Sequence, residues 1–156
     1  MNLVQFRKKY FTVLVYSLAG VADHIKKRAI AFHVMMSDDL VSSIGQTVVF
    51  DHVITNIGKA YNPHTGHFTT QYDGLCFFTV SFLKRYSSNL TLTMLINSRT
   101  ISRGHATNST SGATTGSINA AVFLKKGDVA RIIGSSVNAR IHGDWTYFTG
   151  HITDKI

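Results

Sequence analysis

The stretch FDHVITNIGKAYNPHTGHFTTQYDG, residues 50–74, decides the fold. Phe50, Asn56, Tyr61, Phe68 and Gly74 are its fixed points. Between Tyr61 and Phe68 lies Asn62-Pro63-His64-Thr65-Gly66, a reverse turn. Pro63 sets φ near the value such a turn needs, and Gly66 accepts positive φ at little cost. The turn delivers two large rings to a core from either side. A second turn at Asp73-Gly74 opens at once into an apolar run.

That run, Leu75 to Leu83, has period two. Cys76, Phe78, Val80 and Phe82 share one face, while Leu75, Phe77 and Leu83 lie on the other. A sandwich strand with one wet face shows clean alternation. Apolarity on both faces points to a cover over the second, such as a neighbouring subunit. Working outward, Ile30 to Val34 reads as a first strand and Thr47 to Ile54 as a second, ending at Asn56. Asn89 to Asn97 follows, with Leu90, Leu92, Met94 and Ile96 alternating. Ile118, Ala120, Val122 and Leu124 line a further strand. A tight turn at Lys125-Lys126-Gly127-Asp128 leads into Val129 to Ile133, and the chain closes on Tyr147 to Ile152. Arg99 to Gly116 is poor in large apolar residues and reads as exposed loops around a short strand. Regular short strands separated by polar turns predict an all-β, two-sheet antiparallel sandwich.

Composition agrees. The chain of 156 residues suits one compact domain. All eight acidic residues are Asp, and Glu is absent, so long helices with capping boxes and Glu–Lys pairs are not expected. The net charge of +8 favours anionic partners. A single cysteine, Cys76, excludes an intrachain disulfide framework and a cysteine zinc site. Inside its apolar run it reads as a buried thiol.

The amino end differs from the rest. Arg7, Lys8 and Lys9 precede the apolar stretch Phe11 to Ala19, and small residues follow at Gly20 and Ala22. Residues 1–22 read as a secretory signal, cleaved after Ala22 or Ala19. The apolar stretch is too short to span a membrane comfortably, so no membrane insertion is expected. Residues 23–29 form a short basic lead-in, and residues 30–156 form the globular domain. There is no Gly-X-Y repeat and no heptad.

The spacing of Phe50, Asn56, Tyr61, Phe68 and Gly74, with Ala31-Phe32, Phe78, the Leu124–Val129 turn and Phe148-Thr149-Gly150, resembles the globular head domain of complement component C1q. The resemblance covers most of Ile30 to Thr153. It implies a jelly roll of the tumour-necrosis-factor type, assembled as a homotrimer and secreted. Invertebrate members without a collagen stalk look like secreted lectin-type immune proteins, so the resemblance also implies recognition of glycans or microbial surfaces. Calcium is implied for some relatives, but no ligand set maps onto matching positions here. Cys76 stands where the family usually has Tyr, and Val80 where it usually has an aromatic.

The search for chemistry returns little. His64 and His67 flank a turn glycine and lack the further ligands a metal site requires. There is no Gly-x-Ser-x-Gly elbow, no phosphate loop and no activated setting for Cys76. The expectation is a binding protein rather than an enzyme, with no cofactor and no nucleic-acid partner. Binding residues are sought on loops: Arg99, Arg103 and His105 in one, Arg140 and Trp145, with His142 and Asp144, in another. Guanidinium forks suit carboxylates and an indole face suits a sugar ring. Asn89-Leu90-Thr91 and Asn108-Ser109-Thr110 are glycosylation sequons. The alternatives to a recognition protein are a secreted signalling ligand for a cell-surface receptor and an extracellular structural component.

Overall fold

A computed structural model describes residues 29–85, 88–107 and 112–153. Residues 1–22, expected to be a signal, nearly all of the expected lead-in and the Asn108 sequon lie outside the described residues. Eleven strands are present among the described residues: β1 (Ile30–Met35), β2 (Leu40–Ser42), β3 (His52–Ile57), β4 (Tyr61–Asn62), β5 (His67–Thr69), β6 (Gly74–Arg85), β7 (Leu90–Ile96), β8 (Arg99–Ala106), β9 (Thr114–Leu124), β10 (Val129–Gly134) and β11 (Ala139–Thr153). They form two antiparallel sheets. The six-stranded sheet runs β3-β1-β11-β6-β9, with β2 also pairing β11; the five-stranded sheet runs β4-β5-β10-β7-β8. This is the two-sheet jelly roll that the strand pattern suggests.

The core lies between the sheets and is rich in aromatics. Phe32 stacks on Tyr61 at 5.1 Å and meets Phe148 edge-on at 4.8 Å, while Phe68 meets Phe78 edge-on at 5.3 Å. On β6, Cys76, Phe78, Val80 and Phe82 point inward and are fully buried, as the period-two pattern requires. Burial pushes the Cys76 thiol up to about 12, with the charge of Asp128 adding to the effect.

The opening motif has a physical explanation at each fixed point. Asn56 clasps the backbone of Tyr61 in both directions: its Nδ2 donates to the Tyr61 carbonyl at 2.8 Å, and its Oδ1 accepts from the Tyr61 N–H at 3.3 Å. That closes the turn through Gly58 and Lys59, both at positive φ. The Phe50 N–H donates to the Tyr61 hydroxyl at 3.1 Å within the core. Gly66 takes φ of 72° in the Pro63 turn. A Cβ on Gly74 would lie 2.6 Å from Ile152 Cγ2 on the neighbouring strand.

Three expectations need correction. Residues 47–50 are not continuous with β3; Thr47 makes an isolated bridge to Ile133, and the strand begins at His52. Arg99 to Gly116 is not a loop region, because β8 occupies Arg99–Ala106 and β9 starts at Thr114. The inward positions of β8 are Gly104 and Ala106 because the sheets close tightly there: a Cβ on Gly104 would lie 2.5 Å from the Ser117 carbonyl. Arg140 to Trp145 is likewise not a loop ahead of the last strand. It belongs to β11, which begins at Ala139.

Candidate functional site

β11 pairs with β6 twice, with a large bulge between. His142 faces Leu83 and Tyr147 faces Ser81, so residues 143–146 stand opposite Phe82 alone. Such an insertion bends the strand and redirects its side chains. Thr146, fully buried, closes the bulge: its hydroxyl donates to the His142 carbonyl at 2.7 Å and accepts from the Leu83 N–H at 3.2 Å. The Met36 N–H donates to the Thr146 carbonyl at 3.1 Å.

Asp39, in the connection between β1 and β2, pins the outer side. Its Oδ1 accepts from the Gly143 N–H at 3.0 Å and lies 3.0 Å from His142 Nδ1; its Oδ2 accepts from Arg140 Nε at 3.0 Å. The Gly143 N–H holds the Asp39 carboxyl below its ordinary value of 3.8, against the opposing effect of desolvation, with His142 and Arg140 adding to the lowering. Gly143 is required: a Cβ there would lie 2.6 Å from the Asp38 backbone.

The bulge thrusts out Asp144 and Trp145. Trp145 is 65% exposed, so the sole tryptophan of the chain is not a packing residue. Across the outer face, Arg140 stands in register between Val41 on β2 and Arg85 on β6. The site therefore offers an indole face and two guanidinium groups on a backbone fixed by hydrogen bonds.

The other candidates fall elsewhere. Arg103 and His105 lie on the outer face of the five-stranded sheet, with His105 Nδ1 2.8 Å from Thr91 Oγ1. Arg99 lies at the far end of β8, where it lines an open cleft of about 570 Å³ with Ile96, Ile101, Val122 and Phe123. The two sets are thus on different sheets and do not form one site. Asn89 is exposed just ahead of β7. Phe50, Tyr61, Phe68, Phe78, Phe148 and Gly150 are buried, and a Cβ on Gly150 would lie 2.6 Å from both Phe32 and Phe78. Among the described residues no group of three or more His, Cys or Asp side chains is placed to hold a metal. The carboxylate oxygens of Asp39 and Asp51 are already engaged, the latter by the Ser37 N–H and hydroxyl.

Sequence reasoning missed Asp39 and Thr146. Asp39 meets its partners from 101 to 104 residues away, and no local spacing announces that.

Sheet order and packing define a jelly-roll domain. The model of the C1q domain matches residues 31–153, and the chain belongs to the C1q-domain family. Members of this family are typically secreted and act as ligands or recognition proteins, not enzymes. One of the complement C1q subcomponent chains of Homo sapiens is 39% identical over 57 residues, a stretch that is 36% of this chain and 22% of that protein. The chain thus matches less than a quarter of that relative's length. The globular domain of zebrafish complement 1qA protein superimposes with a TM-score of 0.69 at 20% identity, covering 81% of this chain and 99% of that one. The Eiger TNF of S. frugiperda gives 0.68 at 12% identity, covering 83% and 95%. These structural likenesses extend to the fold alone.

Proposed function

We propose that the chain is a secreted recognition protein that binds glycans on microbial or other surfaces, displayed by a homotrimer. The observation that carries this reading is Trp145, exposed on a bulge that Asp39 and Thr146 hold in place. An exposed indole stacks on a sugar ring, and Arg140 and Arg85, paired in register on the same sheet, suit a carboxylate-bearing sugar. Pre-organisation reduces the ordering cost of binding.

The trimer reading rests on the outer face of the six-stranded sheet. Phe77 is 38% exposed and stacks on His151 at 5.4 Å; Phe123, beyond Ala121 on the next strand, is 57% exposed. Leu75 and Ile57 extend the apolar area. A second copy covers such a patch better than water does.

A glycan array probed with the secreted protein tests the function. Binding to bacterial or acidic glycans is expected, with Trp145→Ala reducing it by about five- to a hundredfold, taking the ~1–3 kcal/mol of a base stacked on an aromatic as the guide. Unchanged binding by Trp145→Ala removes the reading. Capture of a single cell-surface receptor, with no glycan bound, replaces it with a signalling ligand. Amino-terminal sequencing of the secreted protein checks the signal: the expected first residue is Asp23 or Gly20. Mass spectrometry of the same material reports the Asn89 and Asn108 sequons.

A further inference from the structure

The five-stranded sheet contains no acidic residue. Its strands carry Arg99, Arg103, Arg131, His67 and His105, while the described aspartates, Asp38, Asp39, Asp51, Asp73, Asp128 and Asp144, all lie outside it. Asp128 comes nearest, just ahead of β10, but its carboxylate accepts from Asn97 Nδ2 at 3.1 Å and from the Lys125 N–H at 2.9 Å. Its charge is therefore bound into a turn at the end of the sheet.

Alternation sets the direction of each cation. Ala130, Ile132 and Gly134 of β10 face the core, so Arg131 faces out. Gly104 and Ala106 of β8 face the core, so Arg103 and His105 face out. Arg103 pairs with Thr93, His105 with Thr91 and Arg131 with Leu95. With strands ~4.8 Å apart and a rise of ~3.4 Å per residue, Arg103 and His105 stand ~7 Å apart, and Arg103 and Arg131 ~12 Å apart, measured between backbones. Leu95 is 8% exposed although it points outward, consistent with cover from the stems of its neighbours.

These guanidinium groups are uncommitted. Arg103 and Arg131 have no hydrogen bond or ion pair among the described residues, whereas Arg140 is held by Asp39. Hydroxyl groups stand between them: Thr93 Oγ1 lies 2.7 Å from Ser135 Oγ, and Thr91 Oγ1 lies 2.8 Å from His105 Nδ1, leaving Nε2 as the free ring nitrogen.

We propose that the outer face of β8, β7 and β10 is a docking surface for a sulfated polysaccharide, distinct from the Trp145 bulge. The inference extends the glycan reading to a second site and a charge-based mode. Sulfate groups spaced along a chain meet cations spaced across the sheet, and the guanidinium fork matches two sulfate oxygens. β7, β8 and β10 contain no Phe, Tyr or Trp, so a stacking platform for single-stranded nucleic acid is lacking. The face is also opposite the proposed trimer surface, which leaves three copies free to engage one polymer with avidity.

The test uses the secreted protein, heparin as the probe and a salt titration. Heparin binding that weakens steadily with salt is expected. Arg103→Ala and Arg131→Gln each lower affinity by about tenfold, the lower end for a hydrogen bond to a charged group, and the pair lowers it by about a hundredfold. The Arg103→Lys, Arg131→Lys double variant keeps an intermediate affinity, because charge persists without the fork. Trp145→Ala leaves heparin binding unchanged. Thermal unfolding of each variant at the wild-type temperature shows that the fold is intact. Wild-type affinity in the double Ala/Gln variant overturns the proposal, as does equal binding to desulfated heparin. Equal competition by single-stranded DNA overturns it in favour of a general polyanion surface. Loss of heparin binding in Trp145→Ala overturns the separation of the two sites. Failure of Trp145→Ala to affect the glycan array, with heparin binding still lost in the Arg103/Arg131 variant, removes only the earlier reading.

Discussion

Tyr61 shows how one residue can hold three segments. Its ring stacks on Phe32, its backbone is clasped by Asn56, and its hydroxyl accepts the Phe50 N–H. Burial drives its hydroxyl pKa upward, the Phe50 N–H opposing and the charge of Asp51 adding. Tyr61→Phe leaves the Phe50 N–H buried without an acceptor. Such an orphan costs ~1–3 kcal/mol, so urea unfolding is expected to shift its midpoint down with an unchanged slope. A wild-type midpoint contradicts the assigned bond. Cys76 gives a second prediction at this scale. Burial disfavours the thiolate, and with the thiol at about 12 only about one molecule in ten thousand carries it at pH 8. Iodoacetamide at pH 8 is expected to leave the folded protein unlabelled and to label it fully in guanidinium. Stoichiometric labelling of the folded form contradicts the buried placement.

Strands were legible where large apolar residues recur at period two, as in β6 and β7. Elsewhere the same rule failed for reasons visible in the structure. β8 presents Gly104 and Ala106 to a narrow gap, so it lacks the large inward residues that announce a strand. The first half of β11 is disguised by its bulge, where Gly143 and Thr146 replace apolar residues. The Arg140–Trp145 segment was therefore legible as a candidate site but not as a strand, and its partner Asp39 was not legible at all. The bulge also carries a pH dependence. The folded pKa of Asp39 lies below the unfolded one, so its contribution to stability is present above the unfolded value and is lost as pH falls through the folded value. Asp51, held down by Ser37, and Asp128, held down by the Lys125 N–H, act in the same direction. Stability is expected to decline as pH falls below about 4. Asp39→Asn lowers stability at pH 7 and shallows that decline; thermal unfolding across the acid range reads both. An unaltered acid limb means that Asp39 does not pin the bulge.

At the scale of the molecule, the two sheets present opposite surfaces. The five-stranded sheet faces outward with cations and hydroxyls, and the six-stranded sheet with Phe77, Phe123, Leu75 and Ile57. A stable interface buries ~1,200–2,000 Å², more than this apolar cluster alone supplies, so the surrounding Thr79, Asn119 and Tyr147 must also enter it. Thr79 donates to Asn119 at 3.0 Å, and Tyr147 packs against His33 at 5.3 Å. A second copy that covers them supplies partners for the Asn119 amide N–H groups and the Tyr147 hydroxyl, since burying these unpaired is costly. Phe77 lies outside the intramolecular core, so Phe77→Asp places a charge at the proposed contact while sparing the fold. Sedimentation at micromolar concentration is expected to give a trimer for the wild type and a monomer with native circular dichroism for the variant. A monomeric wild type, or a variant that sediments as a trimer, assigns the apolar face to another partner.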